Sequence, residues 1–411
     1  MRVFLLGVLL MRAAFADVVT DWNEIMRVTV IAEGPPTQAR FAAITQLAVF
    51  EAVNAITQDY KPYVGSITAA QGASPEAAVV AAAHQVLTNY FPGSAANLDA
   101  NRARSLALIP DGPSKTAGIA VGQAAAAAMI ARRANDGSGT PIPYTPLSGV
   151  GLWQPTPPAL VAGAFLHWGR VTPFGILRGD QFRSKRPPKL TSSEYRRDYN
   201  EVKAVGGVLS TARPDDRADV ARYAASTSPV QLWNPVGVQL SAAQRLSLSE
   251  NARMFALLNM AICDASIAVF EAKYFYHFWR PVTAIRAGDT DGNPRTDLDP
   301  AFTPFIATPA YPSYPSGHGS LSNAARYVLE GIFGGGRHSI TLSNPALAGV
   351  TLQYTKLRHI TDDIADARVY GGIHFRFEQD EAEVLGRRVA RFVLKHNLRC
   401  VRADACEDSD E

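Results

Sequence analysis

Apolar residues recur at helical spacing in five long segments of the chain, at 40–56, 75–90, 115–134, 242–270 and 319–333. Alternation of apolar and polar residues between turn signals, which is the pattern of a half-buried strand, is scarce. The pattern therefore predicts an all-α protein in which these five segments are core helices.

Glycine, proline and polar residues separate the helical segments, and the longest irregular stretches are 136–158, 178–192 and 287–314. Loops of this length in a compact protein are often functional. Two helical segments are similar to each other, since 46–52 has the sequence QLAVFEA and 259–265 has NMAICDA. An internal duplication and a shared amphipathic composition both account for this similarity.

The composition is that of a folded protein with a substantial core, because 47% of the 411 residues are hydrophobic and 19% are charged. The formal net charge is only +3, and the basic residues do not form a stripe interleaved with aromatic residues. We therefore expect no nucleic-acid partner.

The first 16 residues have the features of an export signal. Arg2 precedes an apolar run at 3–11, and the Ala-Phe-Ala sequence at 14–16 offers a cleavage site. This run is shorter than the roughly 20 apolar residues of a membrane span, and we expect no later segment to be apolar enough to span. The sequence thus predicts an exported protein, periplasmic or extracellular, with one mature domain at 17–411 and its chemistry within 264–380.

The three cysteines fit an oxidising compartment without requiring one. Cys400 and Cys406 are close enough in sequence to form a small disulfide, and two free thiols are an equally good interpretation. Cys263 lies in the apolar segment 260–267, where we expect a small core residue.

Residues 315–320, with the sequence PSGHGS, predict a loop that enters a helix with Ser316 as its N-cap. Small residues such as Gly317 leave the first backbone N–H groups uncovered, and these groups and the helix dipole attract anions. His318 follows directly, and an imidazole with a reference pKa of roughly 6.5 can act as general acid or base near neutral pH.

Two cations precede this motif. Lys273 and Arg280 are seven residues apart, which is about two helical turns, so we expect their side chains to share one helix face. Pro281 places Arg280 near a helix end. The residues between the two cations are mostly aromatic, which is a poor composition for a solvated face. The spacing therefore predicts an anion bound between the two side chains.

A third cation and a second histidine follow the motif. Arg368 and His374 are six residues apart, and the glycine pair at 371–372 breaks the helix so that both side chains can converge. Glu378 follows His374 by four residues and is placed to accept a hydrogen bond from its imidazole. Three fixed cations favour phosphate or an analogue over a bare divalent metal ion.

These three segments, in this order, resemble the superfamily that comprises vanadium-dependent haloperoxidases, type-2 phosphatidic acid phosphatases and bacterial acid phosphatases. The residues that carry the resemblance are Lys273, Arg280, Pro281, Pro315, Ser316, Gly317, His318, Arg368, His374 and Glu378. The segments 153–158 and 278–285 are similar to the soluble bacterial haloperoxidase branch. The resemblance implies an all-α fold of two four-helix bundles.

The resemblance also implies a vanadate cofactor, with phosphate able to occupy the same site. His374 would bind vanadium directly, and His318 would handle protons near the apical oxygen. The remaining residues would hold the vanadate oxygens: Lys273, Arg280, Ser316, Gly317 and Arg368. Hydrogen peroxide and a halide would be the substrates.

The alternative within the same superfamily is a soluble acid phosphatase that acts on a phosphomonoester. His374 would then attack phosphorus and His318 would protonate the leaving alcohol. Tyr311, seven residues before His318, occupies a position beside the residues that would hold vanadate, which we call the cradle. Haloperoxidases often carry phenylalanine or histidine at this position, which leaves the halide preference open. Assembly into a homo-oligomer is also left open.

Overall fold

The computed structural model describes residues 17–158 and 160–401. Its helices and strands, in chain order, are α1 (Val18–Thr29), α2 (Pro35–Thr57), α3 (Pro75–Tyr90), α4 (Ala95–Ala107), α5 (Pro113–Arg133), α6 (Ser193–Val205), α7 (Asp215–Ser226), α8 (Pro229–Gln244), α9 (Leu248–Tyr276), α10 (Pro281–Arg286), α11 (Gly317–Phe333), β1 (Ile340–Ser343), β2 (Thr351–Tyr354), α12 (Leu357–Tyr370) and α13 (Arg376–His396).

Helices α2 and α9 lie at the centre of the fold and pack against each other. Helices α3 and α5 pack on α2, whereas α11 and α13 pack on α9. One continuous cluster of buried hydrophobic side chains extends across both groups of helices. The molecule is thus a pair of helical bundles joined through their central helices, and the predicted all-α fold is confirmed.

A short antiparallel hairpin is the one pair of strands within the described residues. Strands β1 and β2 pair with Ile340 opposite Tyr354, and β1 packs on α8. The hairpin lies between α11 and α12 in the chain and therefore separates two of the three motifs that the sequence analysis identified.

One predicted helix is wrong in its extent. The apolar segment 242–270 is not continuous, because Arg245 has a left-handed backbone conformation (φ 57°) and ends α8. Helix α9 then begins after Ser247, which forms a capping box with Glu250. The hydrophobic periodicity continues through this break, so the break could not be predicted from the pattern.

The expectation that no later segment is apolar enough to span a membrane was also wrong. By length and hydropathy, Pro35–Thr57 and Leu248–Tyr276 are both sufficient. Their most apolar windows are 83% and 94% buried inside the protein, which is typical of core helices.

The two similar segments lie on the two central helices, 46–52 on α2 and 259–265 on α9. Each carries a buried acid that accepts backbone N–H groups from a loop. Glu51 accepts from Tyr63, and Asp264 accepts at 2.6–2.8 Å from the three amides of 174–176. The two helices therefore use equivalent positions to hold a connecting segment.

Two predictions from the termini lie outside the described residues: the export signal at 1–16, and Cys406 as a partner for Cys400. Cys263 is fully buried with a free thiol, as predicted.

Candidate active site

The first part of the site is the junction between α9 and α10. Lys273 lies in the last turn of α9, His277 ends that helix with a left-handed conformation (φ 52°), and Arg280 is the N-cap of α10. Lys273 and Arg280 are both fully buried. The prediction that they share one helix face was wrong, because the helix ends between them. They approach the same site from a helix end and from the next helix start.

The second part is the beginning of α11. The side chain of Ser316 accepts a hydrogen bond from the backbone N–H of Gly319 at 3.3 Å, so the predicted N-cap is confirmed. A Cβ atom on Gly317 would lie 3.7 Å from Cε of Lys273, which shows how closely the start of α11 approaches the end of α9. The backbone N–H of Ser316 donates to the carbonyl of Glu378 at 3.1 Å.

The third part is the connection between α12 and α13. Arg368 lies in the last turn of α12, and Gly372 has a positive φ of 77°, which a glycine adopts without strain. His374 follows, directly before Phe375, the N-cap of α13, and Glu378 lies in the first turn. The predicted break at the glycine pair is confirmed. The site is thus assembled from the ends of α9 and α12 and the starts of α10, α11 and α13.

The imidazole of His374 is held on both of its nitrogens. Nη1 of Arg280 lies 3.1 Å from Nε2, and Oε2 of Glu378 lies 2.5 Å from Nδ1. Since a guanidinium only donates, Nε2 is the acceptor and Nδ1 carries the proton that is donated to the carboxylate. Burial and the positive charge of Arg280 lower the pKa of His374 well below its ordinary value, so the ring is neutral at neutral pH.

Ser313 is a site residue that the sequence analysis missed. Its hydroxyl donates to Oε2 of Glu378 at 2.9 Å and lies 3.4 Å from Nδ1 of His374. Burial raises the pKa of Glu378 to about 7, against the opposing effect of Arg280. Because 65 residues separate Ser313 from Glu378, no local spacing could have indicated the contact.

Several buried donors in the site have no protein partner. They are Nη2 of Arg280 and Nε and Nη1 of Arg368; Nε2 of His318, which donates or accepts according to its tautomer, is also buried without a partner. Leaving such groups unpaired is costly, so their presence indicates a guest that accepts hydrogen bonds. Burial lowers the pKa of Arg368 to about 10 and that of His318 to about 3, the latter with a contribution from the Arg368 charge.

These unpaired donors fit a tetrahedral oxyanion such as vanadate or phosphate. The positive charge of Arg368 also lowers the pKa of His374, so Arg368 lies near both histidines. Within the described residues, no group of three or more His, Cys, Asp or Glu side chains could hold a metal ion. The preference for an oxyanion over a bare metal ion stays a prediction.

Tyr311 lies beside the cradle. The centroid of its ring is 5.3 Å from Nζ of Lys273 and 5.2 Å from the guanidinium carbon of Arg280. Its backbone carbonyl accepts from Nε of Arg280 at 3.0 Å, and its ring packs edge-on against Phe270. Tyr311 therefore forms one wall of the predicted site.

Comparison with solved structures identifies the architecture. A bacterial vanadium-dependent iodoperoxidase superimposes with a TM-score of 0.82 over 93% of this chain and 96% of its own, at 22% identity. The chain has the fold of the vanadium-dependent haloperoxidases. The holo form of a bacterial vanadium-dependent chloroperoxidase also superimposes, with a TM-score of 0.72 over 90% of this chain and 94% of its own, at 18% identity.

Sequence comparison also finds similarity to vanadium haloperoxidases, and the family match covers the segment that contains the candidate site. Residues 253–403 match the family model of the VCPO second helical-bundle domain. Vanadium chloroperoxidase of Curvularia inaequalis is 32% identical over 104 residues, which is 23% of this chain and 16% of the relative. Vanadium-dependent bromoperoxidase of Corallina pilulifera is 29% identical over 119 residues, which is 26% of this chain and 20% of the relative.

The matched stretches thus span a fifth or less of the length of these two curated relatives. The resemblance to haloperoxidases that the three motifs indicate is confirmed, and the family match includes all of them.

Proposed function

We propose that this protein is a vanadium-dependent haloperoxidase, which oxidises a halide with hydrogen peroxide. The observation that carries the proposal is the set of buried unpaired guanidinium donors on Arg280 and Arg368, together with the unpartnered Nε2 of His318, beside a neutral imidazole, His374. The similarity to enzymes named chloroperoxidase, bromoperoxidase and iodoperoxidase supports the haloperoxidase over the phosphatase alternative.

Each residue has a role that follows from its contacts. Arg280 and Arg368 would donate to vanadate oxygens, together with the backbone amides of Gly317 and His318 in the first turn of α11. His374 would offer the lone pair of Nε2, to which Arg280 donates in this structure, because its other nitrogen already donates to Glu378. When bound, vanadate supplies a Lewis-acidic centre at which peroxide is activated toward a halide.

His318 lies beside the proposed oxyanion site, and its buried Nε2 has no protein partner. Burial and the Arg368 charge lower its pKa to about 3 in the ligand-free protein, so the ring is neutral but weakly basic, and a bound anion would raise that pKa. A neutral imidazole next to the oxyanion can accept a proton from hydrogen peroxide and later return one to a leaving oxygen. The fixed positive charges would stabilise negative charge that develops on the guest.

The test uses purified apo-protein. We expect peroxide-dependent halogenation of an organic acceptor only after orthovanadate is added, assayed separately with chloride, bromide and iodide because the relatives carry all three names. His374→Ala is expected to lose both activity and retained vanadium. His359→Ala, an exposed histidine on α12, is the matched control.

The phosphatase is the outcome that would overturn the proposal. Hydrolysis of p-nitrophenyl phosphate that vanadate inhibits, with no halogenation for any halide, would assign the site to a phosphomonoesterase. Retention of vanadium by His374→Ala would contradict the role of that imidazole even if halogenation were observed.

The export of the protein belongs to the same proposal. An apolar run after Arg2 and a small-residue cleavage site before Asp17 support secretion by a signal peptide. Amino-terminal sequencing of the secreted product tests this, and the expected first residue is Asp17. A product that retains Met1 and stays inside the cell would contradict it.

A further inference from the structure

The charged residues of α13 are segregated along the helix. Its acidic residues all precede residue 384, and the stretch 384–401 contains no aspartate or glutamate. The cations of that stretch are Arg387, which is half-buried, and Arg388, Arg391, Lys395 and Arg399, which are exposed. The second half of α13 and the segment after it therefore present positive charge to the solvent.

Lys61 extends this positive surface. An isolated antiparallel bridge joins the segment after α2 to the segment after α13, and within it the backbone N–H of Lys61 donates to the carbonyl of Arg399 at 2.7 Å. Lys61 and Arg399 are thus opposite each other, and both are exposed. We call the five exposed cations the basic face: Lys61, Arg388, Arg391, Lys395 and Arg399.

The basic face has no counter-charge in the protein. Within the residues that the structure describes, none of its five side chains forms a salt bridge or donates a hydrogen bond. Other exposed cations differ, since Arg178, Lys185 and Arg197 each pair with a carboxylate at 2.6–3.1 Å. The absence of acids is therefore a property of this surface and not of exposed cations in general.

The like charges of the basic face repel one another. Arg391 and Lys395 are four residues apart on one helix, and Lys61 lies opposite Arg399 across the bridge. Both arrangements are unfavourable for equal charges. The helix dipole stabilises a cation in the last turn of α13, which includes Lys395 but not the two arginines. A ligand with several negative charges would remove this repulsion.

The surroundings favour a flexible polyanion over a bilayer or a nucleic acid. No large hydrophobic side chain of α13 is exposed, whereas a helix that binds at a membrane interface buries an apolar face there. The ring of Phe392 contacts Phe182 at 5.7 Å and His396 at 4.2 Å between centroids, so its faces are already covered and do not offer a platform for bases.

The spacing of the cations suits a linear polymer with a charge on successive units. Arg388 and Lys395 are seven residues apart, which is about 10 Å along the helix. Three of the five cations are arginines, whose planar guanidinium can bind two oxygens of one acidic group. Clusters of lysine and arginine of this kind are typical of sites for heparin-like polymers.

We propose that the basic face binds a linear sulfated polysaccharide. Lys395 lies about 25 Å along α13 from Glu378, so a bound polymer would leave the candidate active site open. The inference does not depend on the oxidation chemistry of the proposed function. The export proposed above would bring the protein to polysaccharides outside the cell.

The test uses the full chain, with heparin as the probe and calorimetry at several concentrations of sodium chloride as the measurement. One variant removes three charges from the basic face, by Arg388→Gln, Arg391→Gln and Lys395→Gln together. A matched control removes three exposed cations elsewhere, by Arg104→Gln, Lys189→Gln and Lys356→Gln, and so has the same net charge.

We expect the basic-face variant to bind heparin at least about tenfold more weakly than the wild type at about 0.15 M salt. The slope of the logarithm of the association constant against the logarithm of the salt concentration should become less negative by roughly one for each cation removed. The control should stay within about twofold of the wild type, because its three cations are dispersed over the surface.

Equal losses in the two variants would show that net charge and not the basic face determines binding, and a wild type that does not bind heparin would refute the proposal outright. Tighter binding of duplex DNA, or of phosphatidylglycerol vesicles, than of heparin would assign the surface to a nucleic acid or a membrane instead.

If the basic-face variant does not fold, acetylation of the wild-type protein decides. Heparin should protect Lys61 and Lys395 from acetic anhydride and leave the exposed Lys356 unprotected. Equal labelling of all three lysines with and without heparin would contradict the proposal.

Discussion

Oε2 of Glu378 lies 2.5 Å from Nδ1 of His374, at the start of α13 and out of contact with solvent. The same oxygen accepts from the hydroxyl of Ser313 and from the backbone N–H of Phe375. This carboxylate therefore sets which nitrogen of His374 carries the proton, and it leaves the lone pair on Nε2, where Arg280 donates in this structure and the guest would bind.

The association constant for vanadate should increase with pH near neutrality. Burial raises the pKa of Glu378 to about 7 and lowers that of His374, so the pair takes up an extra proton as the pH falls through about 7. That proton goes to Glu378, which then donates to Nδ1, so the proton of the ring moves to Nε2 and the lone pair of Nε2 is lost. We expect the association constant, measured by calorimetry, to rise from about pH 6 to about pH 8.

Glu378→Gln is the control for this pH dependence, because its amide oxygen can accept from Nδ1 without titrating. Vanadate ionisation affects both proteins equally, so the ratio of their association constants isolates the pair. A ratio that stays constant over this pH range would show that Glu378 does not control the imidazole.

Ser313→Ala should weaken vanadate binding. The substitution removes the hydroxyl that donates to Glu378 at 2.9 Å and leaves a buried carboxylate oxygen with one partner fewer. Groups that orient a ligating histidine typically contribute about 10- to 100-fold in affinity, and we expect a loss of about tenfold. Equilibrium dialysis of vanadate measures it. Ser148→Ala, at an exposed serine, should bind normally, and equal affinities of the two variants would refute the role of Ser313.

Arg368→Met should make the apo-protein more stable while it weakens oxyanion binding. Two guanidinium nitrogens of Arg368 are buried without a partner, and burial lowers its pKa to about 10. The charged form is therefore disfavoured in the folded state. Its removal should increase the free energy of unfolding by about 1 to 3 kcal/mol.

Chemical denaturation without and with phosphate measures both effects of Arg368→Met. Arg358→Met is the matched control, since Arg358 is exposed on the same helix and should change stability by less than about 0.5 kcal/mol. A large loss of stability in the Arg368 variant would mean that its guanidinium supports the fold and not the guest.

Asp264→Ala should destabilise the protein without altering the chemistry of the site. Three backbone N–H groups at 174–176 donate to this fully buried carboxylate, and all three would lose their acceptor. We expect a loss of about 3 kcal/mol in the free energy of unfolding. Urea denaturation tests this with Asp289→Ala, an exposed acid, as control. Wild-type stability of the Asp264 variant would contradict the structural role of the carboxylate.

Hydrophobic periodicity predicted the helical class and, for 75–90, both ends of α3. It failed at the break between α8 and α9, because the left-handed residue Arg245 interrupts a segment whose apolar pattern does not change. Periodicity reports which faces are buried, and it contains no information on a single backbone dihedral.

The charged residues of the site were predictable because isolated cations in apolar surroundings need a counter-charge, and the N-cap of α11 has a local signature. The partners of these residues were not predictable. The prediction that Lys273 and Arg280 share one helix face was wrong, since α9 ends at Tyr276. The acceptors of Lys273 are backbone carbonyls about 40 residues away, and a carbonyl has no sequence signature.

Within the part of the chain that the structure describes, the residues proposed to hold the oxyanion lie at helix termini or directly beside them. Interior positions can therefore accumulate conservative substitutions without displacing the reactive groups, provided that the packing volume is kept. The connecting loops can likewise change without rebuilding the helical scaffold. This separation of the reactive groups from the packed interior is consistent with one architecture being kept by bundles that are only about a fifth identical in sequence.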